Sequence, residues 1–119
     1  MTTGISAKKE LSHAKGVVER RQAVANDIGN EDAAGYAMNN YQSMLICLFE
    51  CEKHHNNAMS VLDDNNAGIV EETSALVDWS RKWVRQCEEN LIMRWDVDAE
   101  DVYNKRQEFR TVWEGVQYA

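Results

Sequence analysis

Proline is missing from all 119 residues, and glycine occurs only six times. Without proline no helix interior loses an amide donor, and with so little glycine few positions invite a break. Strand-like alternation of apolar and polar residues is also missing, as is an Asn-Gly hairpin signal. No apolar run approaches the roughly 18–20 residues that a spanning helix takes. The opening stretch, MTTGISAKKELSHAK, lacks the hydrophobic segment of a secretory signal, so a cytoplasmic location is expected. The three cysteines are an odd number, and Cys47 and Cys51 stand four apart on one expected helix, where disulfide geometry is rarely met. Free thiols packed as small hydrophobes are expected.

What is present fits one helical domain spanning residues 1–119. Hydrophobic residues make up 44% and charged residues 28%, too apolar a balance for a disordered chain. Periodicity of three and four predicts a first helix over Ser6–Ile28, with a stripe of Ala7, Leu11, Ala14, Val18, Ala25 and Ile28 interrupted by Arg21. Gly29 then supplies a C-cap and Asn30 an N-cap. The second helix, Glu31–Leu62, carries the longest seam: Ala34, Ala37, Tyr41, Met44, Leu48, Cys51, His55, Ala58 and Leu62. Such a seam suits left-handed, coiled-coil-like packing of near-parallel helices. Its middle, Met44–Phe49, reads MLICLF and is apolar on every side. A helix of that kind must be covered all round. Either it is the centre of the bundle, or a second copy of the chain covers one flank and makes a homodimer.

The polar stretch Asp63–Gly68 is a turn. A third helix is expected over Ile69–Arg94, with Ile69, Leu76, Trp79, Trp83, Cys87 and Leu91 facing the core. Asp98 and Asp101 form a capping box for a fourth helix, whose inner face is Val102, Phe109, Trp113 and Val116. The fold class is therefore all-α, an antiparallel bundle of about four helices with one long central helix.

Sites of chemistry are harder to find. Glu52 and His55 have the Glu-x-x-His spacing by which di-iron bundles hold metal, but such a site takes a second pair and two further glutamates. The third histidine, His13, is read as standing alone. Two thiols and two imidazoles, Cys47, Cys51, His54 and His55, would suit zinc chemically, yet Cys47, Cys51 and His55 fall at expected core positions. Asp96–Asp101 alternates carboxylates as a calcium loop does, but lacks the central glycine and has Gln107 where the closing glutamate belongs. Glu71-Glu72 and Glu88-Glu89 are followed one turn later by Ala75 and Ile92, not by the third acid of a magnesium site. There is no Gly-rich phosphate loop and no local signature of an activated nucleophile. No catalytic residue, bound metal or cofactor is therefore expected, and the chain is read as no enzyme.

Charge is what remains. The net charge of −7 is unevenly spread: residues 27–78 hold ten acidic groups against one basic, and residues 79–94 hold four basic against two acidic. The acidic stretch argues against direct binding of nucleic acid. Trp79-Ser80-Arg81-Lys82-Trp83-Val84-Arg85 interleaves aromatic and basic residues, but on a helix the tryptophans face inward and leave a solvated basic flank. The expected function is a helical module that docks another protein through a helix face, as adaptor, regulator or inhibitor. An alternative is an acidic inhibitor of the phage or mobile-element type (anti-restriction or anti-CRISPR-like), offering carboxylates to a host nucleic-acid-binding complex. A second alternative is a metal-binding bundle around Cys51, His54 and His55. Candidate partner-binding residues are Glu31, Asp32, Glu50, Glu52, Asp63, Asp64, Glu71, Glu72, Asp78, Arg81, Lys82 and Arg85.

Overall fold

A computed structural model describes residues 6–25 and 34–118, the side chains at 24, 25, 34, 117 and 118 excepted. Four helices follow one another: α1 (Ala7–Ala25), α2 (Ala34–Ser60), α3 (Ala67–Glu89) and α4 (Ala99–Tyr118). Among the described residues there is no strand, and no helix is long and apolar enough to cross a membrane. The expected caps at Gly29 and Asn30, and the stripe positions Ala25 and Ile28, lie outside the described side chains.

Each helix starts where its side chains allow. The Ser6 hydroxyl accepts the Lys9 amide at 3.2 Å and opens α1. Asp98 accepts the Glu100 amide at 2.8 Å and opens α4. The reciprocal arm expected from Asp101 is not made among the described residues, so the cap is single. The turn before α3 is tied by Asp63, whose carboxylate accepts the Asn65 amide at 2.8 Å, and by Asn66, which bonds back to the Val61 carbonyl at 2.6 Å. As a result α3 begins at Ala67, two residues earlier than the sequence predicts, and α2 stops at Ser60, two residues short of Leu62. Leu62 is consequently exposed rather than part of the seam.

The twenty-seven residues of α2 rise ~40 Å along the long axis of a molecule measuring 51 × 29 × 19 Å. Three helices surround α2. Arg21 of α1 donates to Asn40 at 3.1 Å while Glu10 meets His54, so α1 runs antiparallel to α2. Tyr41 meets Glu88, and His55 meets Thr73, so α3 is antiparallel as well. In α4, Val102 lies at Tyr41 and Arg110 at Glu52, which makes it parallel to α2. Arg21 thus interrupts the apolar stripe of α1 for a reason: its guanidinium is held between Asn40 and the Met44 sulfur.

Met44, Leu45, Cys47, Leu48 and Phe49 are all buried by the chain's own helices, and only Ile46 of the MLICLF segment is exposed, at 39%. No second copy is needed to cover this segment. Burying each of its large side chains contributes about 1.5–3 kcal/mol. The core continues through Val18, Val77, Val84, Cys87, Leu91 and Val102.

Two inner faces differ from those the sequence predicts. In α3 the buried line is Thr73, Val77, Ser80, Val84 and Cys87, continued by Leu91 just beyond its end, while Ile69, Leu76, Trp79 and Trp83 are half-buried beside it. Thr73 and Ser80 are fully enclosed because their hydroxyls donate to the Val70 and Leu76 carbonyls at 2.7 and 3.0 Å. In α4 Val102 is buried and Phe109 and Trp113 half-buried, but Val116 is 70% exposed.

Beyond Glu89 the chain widens into a π-helical turn, Asn90–Arg94. The Trp95 amide reaches back five residues to Asn90, and the Val97 amide closes on Leu91 at 2.8 Å. Asp96 takes a left-handed conformation, φ 56°, to make that reversal. α4 then lies mainly against α2 and the π turn, and the Arg106–Glu88 pair ties it to α3 at one end.

Candidate functional site

Because α3 and α4 stand apart over α2, a groove of about 730 Å³ runs between them. Leu48, Phe49 and Glu52 of α2 form its floor. Asp78, Arg81, Val84, Arg85, Glu88 and Glu89 of α3 form one wall, and Ile92 with Tyr103, Arg106 and Arg110 forms the other. A second hollow of about 370 Å³ continues it past Phe49 and Arg110 toward Asn57.

The groove's inner end is a buried polar network. Glu88 is a buried carboxylate that accepts the Tyr41 hydroxyl at 2.7 Å and pairs with Arg106. Burial, and then the bond to Glu88, push the Tyr41 phenol well above its ordinary 10.0. Burial alone would lower the Arg106 guanidinium, but its bonds with Tyr41 and Glu88 outweigh that and the net direction is up. The Arg106 Nε proton is left without an acceptor among the described residues. Further along, Glu52 accepts Arg110 at 2.8 Å and faces Arg81 at 3.5 Å. Arg110 also lies 4.0 Å over the Phe49 ring, which joins charge and apolar floor at one point. Arg85 and Glu89, exposed on the α3 rim, have no ionic or hydrogen-bonding partner among the described residues.

A second polar cluster lies on the other side of α2, against α1. His54 is buried, with Nδ1 against the Glu10 carboxylate and Nε2 at 3.7 Å from Glu50. His13 lies beside it, the two rings 5.5 Å apart and inclined at 64°. Trp113 of α4 donates its Nε1 to Glu50 at 3.4 Å. Among the described residues, Glu10, His13 and His54 are the one group of three metal-ligating side chains whose donor atoms gather within 4.8 Å. The sequence carries the signal for this pair: Glu10-Leu11-Ser12-His13 is itself a Glu-x-x-His, and it was overlooked by treating His13 as solitary.

The four zinc-type donors Cys47, Cys51, His54 and His55, set aside above because three of them fall at expected core positions, do not converge. His54 faces α1, while the His55 Nδ1 lies 2.8 Å from the Thr73 hydroxyl of α3. All three cysteines are buried and none is in a disulfide. Cys47 and Cys51 flank the Ser80 hydroxyl at 3.5 and 3.7 Å. The Cys51 thiol is pushed up by its bond with Cys47 and by burial, the direction that favours the neutral thiol.

The expected partner-binding residues scatter. Glu31 and Asp32 lie outside the described residues. Glu50 and Glu52 point into the two clusters above rather than to solvent. Asp63 and Asp64 sit exposed in the turn before α3, Glu71 and Glu72 on its first turns, with Glu72 paired to Lys15 of α1 at 3.5 Å. Asp78, Arg81, Lys82 and Arg85 are exposed on α3, and all but Lys82 line the groove. The groove residues contributed by α4, Tyr103, Arg106 and Arg110, were missed, because nothing in their spacing reveals what α4 stands beside.

Compared with protein-family models, with curated protein sequences and with solved structures, the chain matches none of them.

Proposed function

We propose that the chain is a non-enzymatic interaction module that seats an amphipathic helix of a partner protein in the groove between α3 and α4. The separation of these two helices over an apolar floor is the observation that carries this reading. Ile92 and Tyr103 leave apolar surface open above the buried Leu48, Phe49 and Val84, within a charged rim, the usual plan of a docking surface. Tyr103 stays half-exposed at its edge, and Arg and Tyr are the side chains that most often dominate such contacts. Helix-in-groove docking satisfies the partner's backbone within the helix, leaving its side chains to find the bed. Arg85 and Glu89, both without a partner on the rim among the described residues, call for charges of both signs on that helix, so the partner is an amphipathic segment of mixed charge.

The partner is taken to be a different protein, since the argument for a homodimer rested on an uncovered MLICLF and that segment is covered. A reducing, cytoplasmic setting agrees with three unbridged cysteines. The acidic-decoy reading has less behind it: Glu50, Glu52, Glu72 and Asp78 already have intramolecular partners, so the carboxylates do not form one phosphate-like row.

Site-specific photocrosslinking in the native host tests the reading. A crosslinker at Tyr103 should capture a defined protein, one at Lys8 on α1 should not, and Arg85→Glu should abolish the Tyr103 adduct without loss of helicity. Equal capture from both faces, or an adduct indifferent to Arg85→Glu, would remove the groove from consideration.

A further inference from the structure

The cluster between α1 and α2 has a chemistry that the docking groove does not use. Its Glu10 and His54 side chains are nearly enclosed, at 11% and 9% exposure, whereas His13 opens to solvent. Two imidazoles and a carboxylate are brought together from two helices, with no lysine or arginine among the described contacts to neutralise the acid. We propose that Glu10, His13 and His54 form a binding site for a divalent transition-metal ion of the zinc class, clamping α1 to α2.

The geometry assigns the roles. His54 offers Nδ1 toward Glu10, while Nε2 faces the Glu50 carboxylate at 3.7 Å. A carboxylate behind the second nitrogen of a ligating histidine is the arrangement that fixes its tautomer and raises its basicity. Glu50 is itself held by the Trp113 indole, so α4 supports the site from behind. Ligand atoms on a tetrahedral zinc with bonds of about 2.0–2.2 Å stand about 3.3–3.6 Å apart. Glu10 and His54 stand closer than two ligands of one ion can, and the three donors lie within 4.8 Å, so the ion would replace their direct hydrogen bond and draw in the exposed His13. Imidazole and carboxylate donors suit zinc, iron, cobalt or nickel; calcium and magnesium prefer all-oxygen sites and are the poorer match. Three protein ligands leave one position open toward solvent on the His13 side.

Titration calorimetry of the tag-free, chelator-stripped chain with zinc chloride reads this directly. One equivalent should bind with micromolar or tighter affinity, and the denaturation midpoint should rise with free zinc as mass action requires. His13→Ala, at an exposed position, should keep its helicity and weaken zinc at least about tenfold, with Glu50→Gln weakening it by about tenfold through His54. The cobalt(II) form should show ligand-field absorption without a thiolate charge-transfer band. No heat of binding, an affinity unchanged in His13→Ala, or a thiolate band pointing to Cys47 and Cys51 would each overturn the proposal. If His54→Ala does not fold, His13→Ala alone decides.

Discussion

Two carboxylates are buried against α2, and the protein treats them differently. Glu88 is matched by Arg106 and the Tyr41 hydroxyl, on the side of α2 covered by α3 and α4. Glu10 is matched by His54, on the side covered by α1, thirteen residues and ~20 Å further along the helix. Guanidinium is permanently charged and has no lone pair to give, so the Glu88 network is closed chemically. Imidazole keeps a lone pair whenever it is neutral, so the Glu10 network is a set of donors as well as a structural tie. The first arrangement fixes where α4 sits; the second leaves room for a ligand.

Substitutions can break this contrast, beginning with the strongest effect. Arg106→Met should cost about 3–5 kcal/mol in chemical denaturation, because it strands the Glu88 charge in the interior. A loss under about 1 kcal/mol would mean that the pair is hydrated in solution and that the two clusters are alike. His54→Leu should cost less, about 1–3 kcal/mol, since it leaves a single acid without its acceptor or donor beside α1. Were it the costlier of the two, the Glu10 cluster would be the main structural tie.

Tyr41→Phe sharpens the first cluster further. Losing the hydroxyl should cost about 1–2 kcal/mol near neutral pH. The folded chain holds the Tyr41 proton more tightly than the unfolded chain, whose phenol titrates near 10.0, so folded stability must fall as pH rises above that value. The wild type should therefore lose stability above about pH 10 more steeply than Tyr41→Phe; parallel curves would place Tyr41 in water. The smallest effect belongs to His13→Ala, which should change metal-free stability by no more than about 0.5 kcal/mol because the side chain is exposed. A larger loss would make His13 part of the packing, not a free donor.

How much of this was legible follows from what each feature depends on. The seam of α2 from Ala37 to Ala58 reads directly from spacing, since a helix enclosed on three sides needs apolar residues at every inward position. The inner face of α3 was read correctly at Cys87 and at Leu91 just beyond it, but one residue out of place at Leu76, Trp79 and Trp83. Trp79 and Trp83 look like core residues, yet large amphipathic rings serve equally well at the edge, while Thr73 and Ser80 hide their polarity in their own helix. The π turn and the left-handed Asp96 left no recognisable trace, as neither proline nor glycine marks them. The helical spacing of Glu10 and His13 was visible in the chain; that His54 would meet them depends on the register of α1 on α2, which spacing within one helix does not contain. The same holds for Glu88 with Arg106 and Glu52 with Arg110, whose partners come from helices eighteen and fifty-eight residues away.

The one-sided support of α4 has a dynamic consequence. Apart from the Arg106–Glu88 tie to α3, it packs mainly on α2 and the π turn, whereas α2 is enclosed by three helices. Cooperative opening should therefore begin at the carboxyl-terminal helix, with its amides exchanging with deuterium well before those around Met44 and Leu48. A helix bound between α3 and α4 would supply the missing wall and slow that exchange, so occupancy would be recorded as protection in a segment the ligand touches on one side only.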